Sequence, residues 1–398
     1  MIRVITIVIL LAGLQVNAQV SFIDTTSNAA ANSAANIIGN KSNKLQIGSY
    51  AQIDYNQQFG DTISHQGKLD VHRLVLFFGY HFNDRTTFVT EIEAEHVKEF
   101  TIEQAFVNYN INPAINFRAG LLLIPMGIVN EYHEPTTFNG VERPNSDKYI
   151  IPSTWREIGA GFAGKLESAA IRYQFYVVNG FNGYDSGGNF RGTDGLRKGR
   201  QKGAESYITS PVFSGKLDYY GVNGLKVGLS CYYGNSQSKA LDGIVKSSAI
   251  QRQTADSSYI GITMIGLDYR YNFKAIKTRG QFIYASLKNT AQYNRYALSD
   301  LGASMLGYYI EASYNIFTPL KLKGTQKLDA FIRYENYNTH LTVASDMLIN
   351  PAYDRTDVTM GLSYHITKGV VLKVDYQLML DKSGGQTNMI NFGVGTWF

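Results

Sequence analysis

The chain has 398 residues, 44% of them hydrophobic and 17% charged, with 37 Lys and Arg against 32 Asp and Glu and a formal net charge of +5. No basic block accompanies that mild excess, so nothing points to nucleic acid. No stretch beyond the N-terminus approaches the roughly 20 apolar residues of a spanning helix. A mean hydropathy of -0.17 would suit a soluble protein, but membrane strands escape this test because half of each faces a polar lumen.

Residues 1–18 read as a secretory leader. Arg3 is the charged start, Val4 to Leu14 the apolar core, and Val16-Asn17-Ala18 the small-residue cleavage site. Residues 19–44 show no convincing apolar face; a flexible periplasmic lead-in is favoured over a short helix within Ser27 to Asn36. Residues 45–398 form the barrel domain. The single Cys231 excludes an intramolecular disulfide and sits on an apolar face with Leu225, Val227 and Leu229.

From residue 45 onward, segments of about ten residues alternate apolar with polar between turn signals. About sixteen are expected: 45–56, 68–80, 85–97, 101–110, 114–122, 157–167, 169–179, 212–220, 225–233, 259–273, 276–288, 305–316, 327–337, 356–366, 370–380 and 388–398. The connections alternate too. Those at 82–84, 111–113, 168, 221–224, 275 and 367–369 are tight. Those at 57–67, 123–156, 180–211, 234–258, 289–304 and 338–355 are long. Two break the pattern: 98–100 is short where a long one is expected, and 317–326 long where a short one is. Short periplasmic turns and long extracellular loops mark outer-membrane barrels. The predicted fold is therefore an all-β transmembrane antiparallel barrel of about 16 strands, and the 28 Tyr and 21 Phe suit its interfacial girdles.

The alternation also assigns faces. Phe88, Ile92 and Ala94 oppose Glu91, Glu93 and Glu95; Ile171, Tyr173, Phe175 and Val177 oppose Arg172 and Gln174. A charge at mid-bilayer costs about 2–4 kcal/mol, so charged members turn inward. The expected pore lining is Glu91, Glu93, Glu95, Arg118, Arg172, Lys216, Lys226, Asp268, Arg270, Arg279, Glu311, Asp329, Arg333, Lys373 and Asp375. For 68–80 the register is ambiguous, although Leu74, Leu76 and Phe78 outward would turn Arg73 inward. About half of the lumen charges are expected to pair with neighbours. With acid gathered on an early strand and base spread over later ones, the remainder implies a transverse field across an aqueous bore.

The segment 123–156 is the expected constriction, apolar at Ile124, Met126, Ile128 and Val129. It then carries Glu131, His133, Glu134, Glu142, Arg143, Asp147, Lys148 and Arg156. An inward-folded third loop is favoured over a solvated outer loop. His133 between two glutamates suggests a base or metal ligand, but no second His stands at ligand spacing, so no metal site, no cofactor and no catalytic residue is assigned. No Gly-x-Ser-x-Gly elbow or P-loop is present, and no enzyme is expected. The basic loop 183–203, with Arg191, Arg197, Lys198, Arg200 and Lys202, suits lipopolysaccharide phosphates or an anion funnel, or is simply solvated.

With those pieces in place, the chain resembles the phosphate-selective porin O and P family, in its Bacteroidetes-type form. The resemblance runs from Leu45-Gln-Ile-Gly-Ser-Tyr to Phe398 and is strongest over Phe117-Arg-Ala-Gly-Leu-Leu-Leu-Ile-Pro-Met-Gly-Ile-Val-Asn-Glu131. Val71-His-Arg, Glu134-Pro-Thr-Thr-Phe-Asn-Gly-Val-Glu-Arg-Pro144 and Lys202-Gly-Ala-Glu-Ser206 add to it. It implies a sixteen-stranded trimer with inward third loops and passage of anions or phosphate. The family's anion-binding positions do not map onto this sequence residue by residue. The expected function is passive diffusion of small hydrophilic solutes or ions through the bacterial outer membrane, with an anion or phosphate lean. The alternative is a non-conducting surface-structural or binding barrel acting through its outer loops. Expected partners are the solutes, membrane lipid and lipopolysaccharide, the barrel-assembly machinery at the strand ending in Phe398, and further copies of the chain.

Overall fold

The computed structural model describes residues 33–39, 43–60, 62–245, 247–320 and 324–398. The leader expected at 1–18 lies outside them. The strands are β1 (Leu45–Phe59), β2 (Lys68–His81), β3 (Thr86–Glu95), β4 (Glu99–Asn112), β5 (Ile115–Leu123), β6 (Arg156–Leu166), β7 (Ile171–Val178), β8 (Asn182–Tyr184) and β9 (Val212–Val222). They continue as β10 (Leu225–Asn235), β11 (Gln237–Ser238), β12 (Gly261–Phe273), β13 (Ile276–Lys288), β14 (Ser304–Asn315), β15 (Lys327–Thr342), β16 (Asp354–Thr367), β17 (Val370–Asp381) and β18 (Gln386–Trp397). All but β8 and β11 close into one barrel, each strand antiparallel to its chain neighbours. Each of the sixteen predicted segments is one of its strands. The short parallel pair of β8 and β11, which the sequence reading did not contain, joins two outer loops.

Closure is made by the two ends of the barrel sequence. β1 pairs with β18 from Tyr50↔Trp397 to Phe59↔Asn388. Ser49 and Phe398 exchange backbone hydrogen bonds at 3.1 and 2.9 Å. The last residue is thus part of the seam, which leaves no unpaired strand edge to lipid. The exterior presents Leu229, Ile265, Leu267, Ile310, Ile332 and Phe392, all exposed. Cys231 is exposed on the same face. In β2, Leu74 and Leu76 are exposed and Arg73 is 3% exposed inside, which settles the ambiguous register.

The lead-in differs from expectation. Ser33–Gly39 form a helix, α1. Its Ile37 is buried against the inner face that carries Val75, Phe77 and Val89. Gly79 of β2 makes room for it, since a Cβ there would stand 2.0 Å from Ile37 Cγ2. The two apolar residues Ile37 and Ile38 are too few to register as a helical periodicity, yet they suffice once an apolar inner wall faces them. Replacing Leu229 by Arg puts a cation in the lipid-facing belt. It should lower barrel stability by about 2–4 kcal/mol, read from equilibrium urea unfolding in lipid vesicles.

Candidate functional site

The third loop, residues 124–155, turns into the barrel and stays there; residues 121–135 are buried without interruption. Gly127, at φ +68, makes the inward turn, and a Cβ there would meet Gln281 Oε1 at 2.5 Å. Asn130 clips the two ends of the loop together. Its amide donates to Ile124 O at 2.7 Å and Trp155 O at 2.9 Å, and its Oδ1 accepts from Trp155 N at 2.7 Å. Trp155 stacks on Phe181 with centroids 4.4 Å apart and leans on the inward Tyr232 at 4.6 Å.

Three groups of wall side chains hold the loop. In the first, Glu131 lies 2.9 Å from Arg172 and 3.2 Å from Lys216. Arg172 also meets Asp218 at 2.9 Å, and Lys216 meets Asp268 at 3.0 Å. Burial pushes the Glu131 carboxyl up, but Arg172 and Lys216 outweigh it and hold it at about 2. The ring of Tyr132 sits 4.2 Å under the Arg270 guanidinium. Against the effect of burial, Arg172, Lys226 and Arg270 draw the Tyr132 phenol down to about 8.

The second group binds the loop's backbone. Lys373 donates to Phe138 O and Gly140 O at 2.7 and 2.8 Å, and Asp375 accepts from Val141 N at 2.6 Å. Glu335 accepts from Ser146 N at 3.1 Å, Ser363 donates to Asn139 O at 2.6 Å, and Arg333 reaches Glu142 O at 3.3 Å. Side chains add to this, Asn139 to Glu311 at 2.7 Å and Asn145 to Asp357 at 2.6 Å. The third group surrounds His133. Its Nε2 is 3.2 Å from Glu103 and 3.9 Å from Glu91, while Arg73 lies 3.5 Å from Glu93 and 3.9 Å from Glu103.

Above this belt, towards the long-loop end, the lumen is apolar. Ile124, Met126, Ile150, Ile151 and Trp155 of the third loop pack with inward Tyr232, Met264, Ile283 and Met305. The fourth loop adds Phe181, Phe190 and Leu196. Gly195, at φ +58, lets the fourth loop ride directly over the third, because a Cβ there would stand 2.0 Å from Tyr149 O. Below the belt, cavities open at the short-turn end. One, of about 330 Å³, is lined by Tyr132, Arg270, Arg279, Glu311, Asp329 and His365. A second, of about 340 Å³, is lined by Arg118, Glu131, Lys165, Arg172, Tyr176 and the helix residue Ile38.

The sequence-predicted residues therefore fall into different places. Glu91, Glu93, Lys216, Lys226, Asp268, Glu311, Asp329, Arg333, Lys373 and Asp375 are buried inside the barrel. Arg118, Arg172, Arg270 and Arg279 are half-buried there. Arg279 meets Glu311 at 2.9 Å, and Asp329 meets Lys277 at 3.3 Å. Glu95 stands instead at the long-loop rim, 3.8 Å from His96. In the loop, Glu131, His133, Glu134 and Asp147 are buried, and Asp147 accepts from Gln281 at 2.8 Å. Glu142 accepts from Asn56 at 3.0 Å, Arg143 donates to His133 O at 3.0 Å, Lys148 is exposed, and buried Arg156 donates to Thr154 O at 3.2 Å.

Much of the charge behind the expected transverse field is paired. Glu93 and Glu91 meet Arg73 and His133, and Arg172, Lys216, Lys226, Arg279 and Arg333 meet acid of their own arc. Lys373 instead binds backbone carbonyls, and Arg118 neutral side chains. Sequence reasoning missed Glu103, Asp218, Glu335, Asp357, Asn130 and Tyr132. Asp218 was within reach of the same alternation that gave Lys216. Glu103 was not: the β3–β4 register shifts between Glu91 and Ile92, and both Glu103 and Gln104 end up buried.

A closed sixteen-stranded cylinder with an apolar exterior and a long loop folded into its bore is the architecture of the bacterial outer-membrane porins. Solved structures share this fold. An anion-selective porin from Comamonas acidovorans aligns with a TM-score of 0.56 at 12% identity, over 89% of this chain and 99% of that one. The outer-membrane channel DcaP of Acinetobacter baumannii gives 0.57 at 12%, over 89% and 97%. OmpF of Salmonella typhi gives 0.57 at 13%, over 89% and 98%. In sequence, the chain is 33% identical over 345 residues to an uncharacterized protein of Aquifex aeolicus, covering 83% of this chain and 75% of that protein. The chain belongs to one family with that protein. No family model matches it.

Glu131→Gln removes the loop's own carboxylate from Arg172 and Lys216 and leaves them the wall carboxylates Asp218 and Asp268. Because those partners remain, the cost should stay below the about 3–5 kcal/mol of a buried charge left with no counterion. The loop should loosen, and trypsin should cut at Lys148 several-fold faster than in the parent barrel while the strands stay protected.

Proposed function

We propose that this barrel is an outer-membrane porin for passive diffusion of small hydrophilic solutes or ions, its route narrowed by the third loop. The observation that carries this reading is the loop itself, laid across a sixteen-stranded bore with cavities beneath it that charged side chains help to line. A barrel of this strand number is wide enough for an aqueous path, and such a loop sets its cross-section.

A lean towards anions has two supports. Arg118 lines the second cavity, bonded only to the neutral Asn108 at 3.0 Å and Tyr176 at 3.1 Å, and makes no ion pair among the described residues. At the long-loop end, Arg156, Arg197 and Arg200 converge on Ser153 and Thr154 with contacts of 3.2, 3.3 and 3.1 Å. Burial, and then the nearness of Arg197 and Arg156, push the Arg200 guanidinium down to about 9. That is the environment in which an incoming anion relieves crowded positive charge. The resemblance around Phe117–Glu131 to phosphate-selective porins, and the anion-selective porin of the same fold, agree with this lean. Export by residues 1–18, trimer formation, lipopolysaccharide contacts through the fourth loop and assembly through the strand ending in Phe398 belong to the same proposal.

The dense pairing of lumen charges and the apolar core above them favour a second reading, a non-conducting barrel that works through its outer loops. Planar-bilayer recording separates the two. The porin reading expects stepwise conductance, larger when residues 131–147 are replaced by a short Gly-Ser linker. A barrel that stays silent in both forms would remove it. Arg118→Gln should move the reversal potential in a salt gradient towards cation selectivity. An unmoved potential would place Arg118 off the ion path.

A further inference from the structure

His133 has no histidine partner in sequence, but the fold brings it two carboxylates from separate strands. Glu91 comes from β3, Glu103 from β4 and His133 from the third loop, and one ligand atom from each lies within 4.8 Å of the others. We propose that Glu91, Glu103 and His133 form a binding site for a divalent first-row transition cation of the Zn²⁺ or Mn²⁺ class, which staples the third loop to the barrel wall.

The geometry fits such an ion. Bonds of about 2.0–2.2 Å imply tetrahedral ligand edges of roughly 3.3–3.6 Å. The observed His133–Glu103 and His133–Glu91 distances of 3.2 and 3.9 Å bracket that value. The Glu91–Glu103 edge lies within 4.8 Å, so side-chain rotations of the two carboxylates would seat the ion. An imidazole with two carboxylates is a donor set for Zn²⁺ or Mn²⁺ rather than for soft Cu(I).

Independent of the cluster, each ligand is already oriented by an outer partner, as metal ligands are. The Nδ1 of His133 faces Asn130 O at 3.2 Å, so a proton on Nδ1 turns the Nε2 lone pair towards the carboxylates. The amide of Gln104 donates to Glu91 at 2.8 Å, and the Tyr50 hydroxyl donates to Glu103 Oε2 at 3.0 Å. Arg73 lies on the other oxygen of Glu103, Oε1, at 3.9 Å and leaves Oε2 to the site. All three ligands are 0–1% exposed. Without an ion, the same groups form an imidazolium–carboxylate pair, and the ion takes the place of the imidazole's proton.

The test uses the full barrel in detergent, stripped with chelator, then offered Zn²⁺ or Co²⁺ both after folding and during refolding, because the site is enclosed. One ion per chain is expected after dialysis, with the intense visible absorption of low-coordinate Co²⁺. His133→Gln and Glu103→Gln should each reduce bound metal to background, while His65→Ala should retain it. Heat-modifiable gel migration verifies that each variant is a folded barrel. Because metal content is the readout, the result stands apart from conduction. A folded parent barrel that takes up no ion by either route, or a folded His133→Gln variant that keeps it, overturns the proposal.

Discussion

An irregular stretch of backbone buried inside a barrel cannot satisfy its own peptide groups, and every one left unpaired costs free energy. That constraint organises this molecule. The third loop has almost no regular structure of its own, so the inner wall supplies its partners. Lys373, Asp375, Glu335, Ser363 and Arg333 bond its backbone directly. Glu311 and Asp357 take its asparagines. The lumen charges are therefore first of all the loop's hydrogen-bond partners, and they read as a permeation surface only where the loop leaves them bare.

This changes how the interior should be pictured. A charge on a wide, wet wall is cheap and weakly coupled to its neighbours. A charge between wall and loop is desolvated and needs opposite charge within a few ångströms. The ladder from Arg172 through Glu131 and Lys216 to Asp268 meets that need along one arc. Arg279, Glu311 and Arg333 meet it along another. The residues left at the margins of these groups, among them Arg118, face open space at the short-turn end. Any process that moves the third loop must break several such groups together, which makes the loop a cooperative element.

Much of the barrel could be read before folding, for a physical reason. Lipid on one side imposes a two-residue period, and closure imposes alternate short and long connections. Both constraints act on every strand separately, so each leaves its mark locally. The inward course of residues 124–155 was legible from the apolar start at Ile124 to Val129 followed by dense charge. Less legible was the apolar half of the bore. Inward Met264, Ile283 and Met305 sit on the face that carries charges further along, and a period of two assigns a face without saying what will lie against it. The helix at Ser33–Gly39 escaped for the same reason, since Ile37 is anchored by a wall pocket and not by a pattern of its own.

The amino-acid order alone pointed to about sixteen strands, to the lipid-facing side of most of them though not of β2, and to the loop long and charged enough to enter the bore. These follow from forces that act along a strand. Only the tertiary structure decided the partners: that Glu103 and Glu91 meet His133, that Asn130 clips both ends of the loop, that Lys373 binds carbonyls instead of facing water. Residues from strands far apart in sequence converge on the loop because the cylinder closes. The distance across a closed cylinder is written in no local segment.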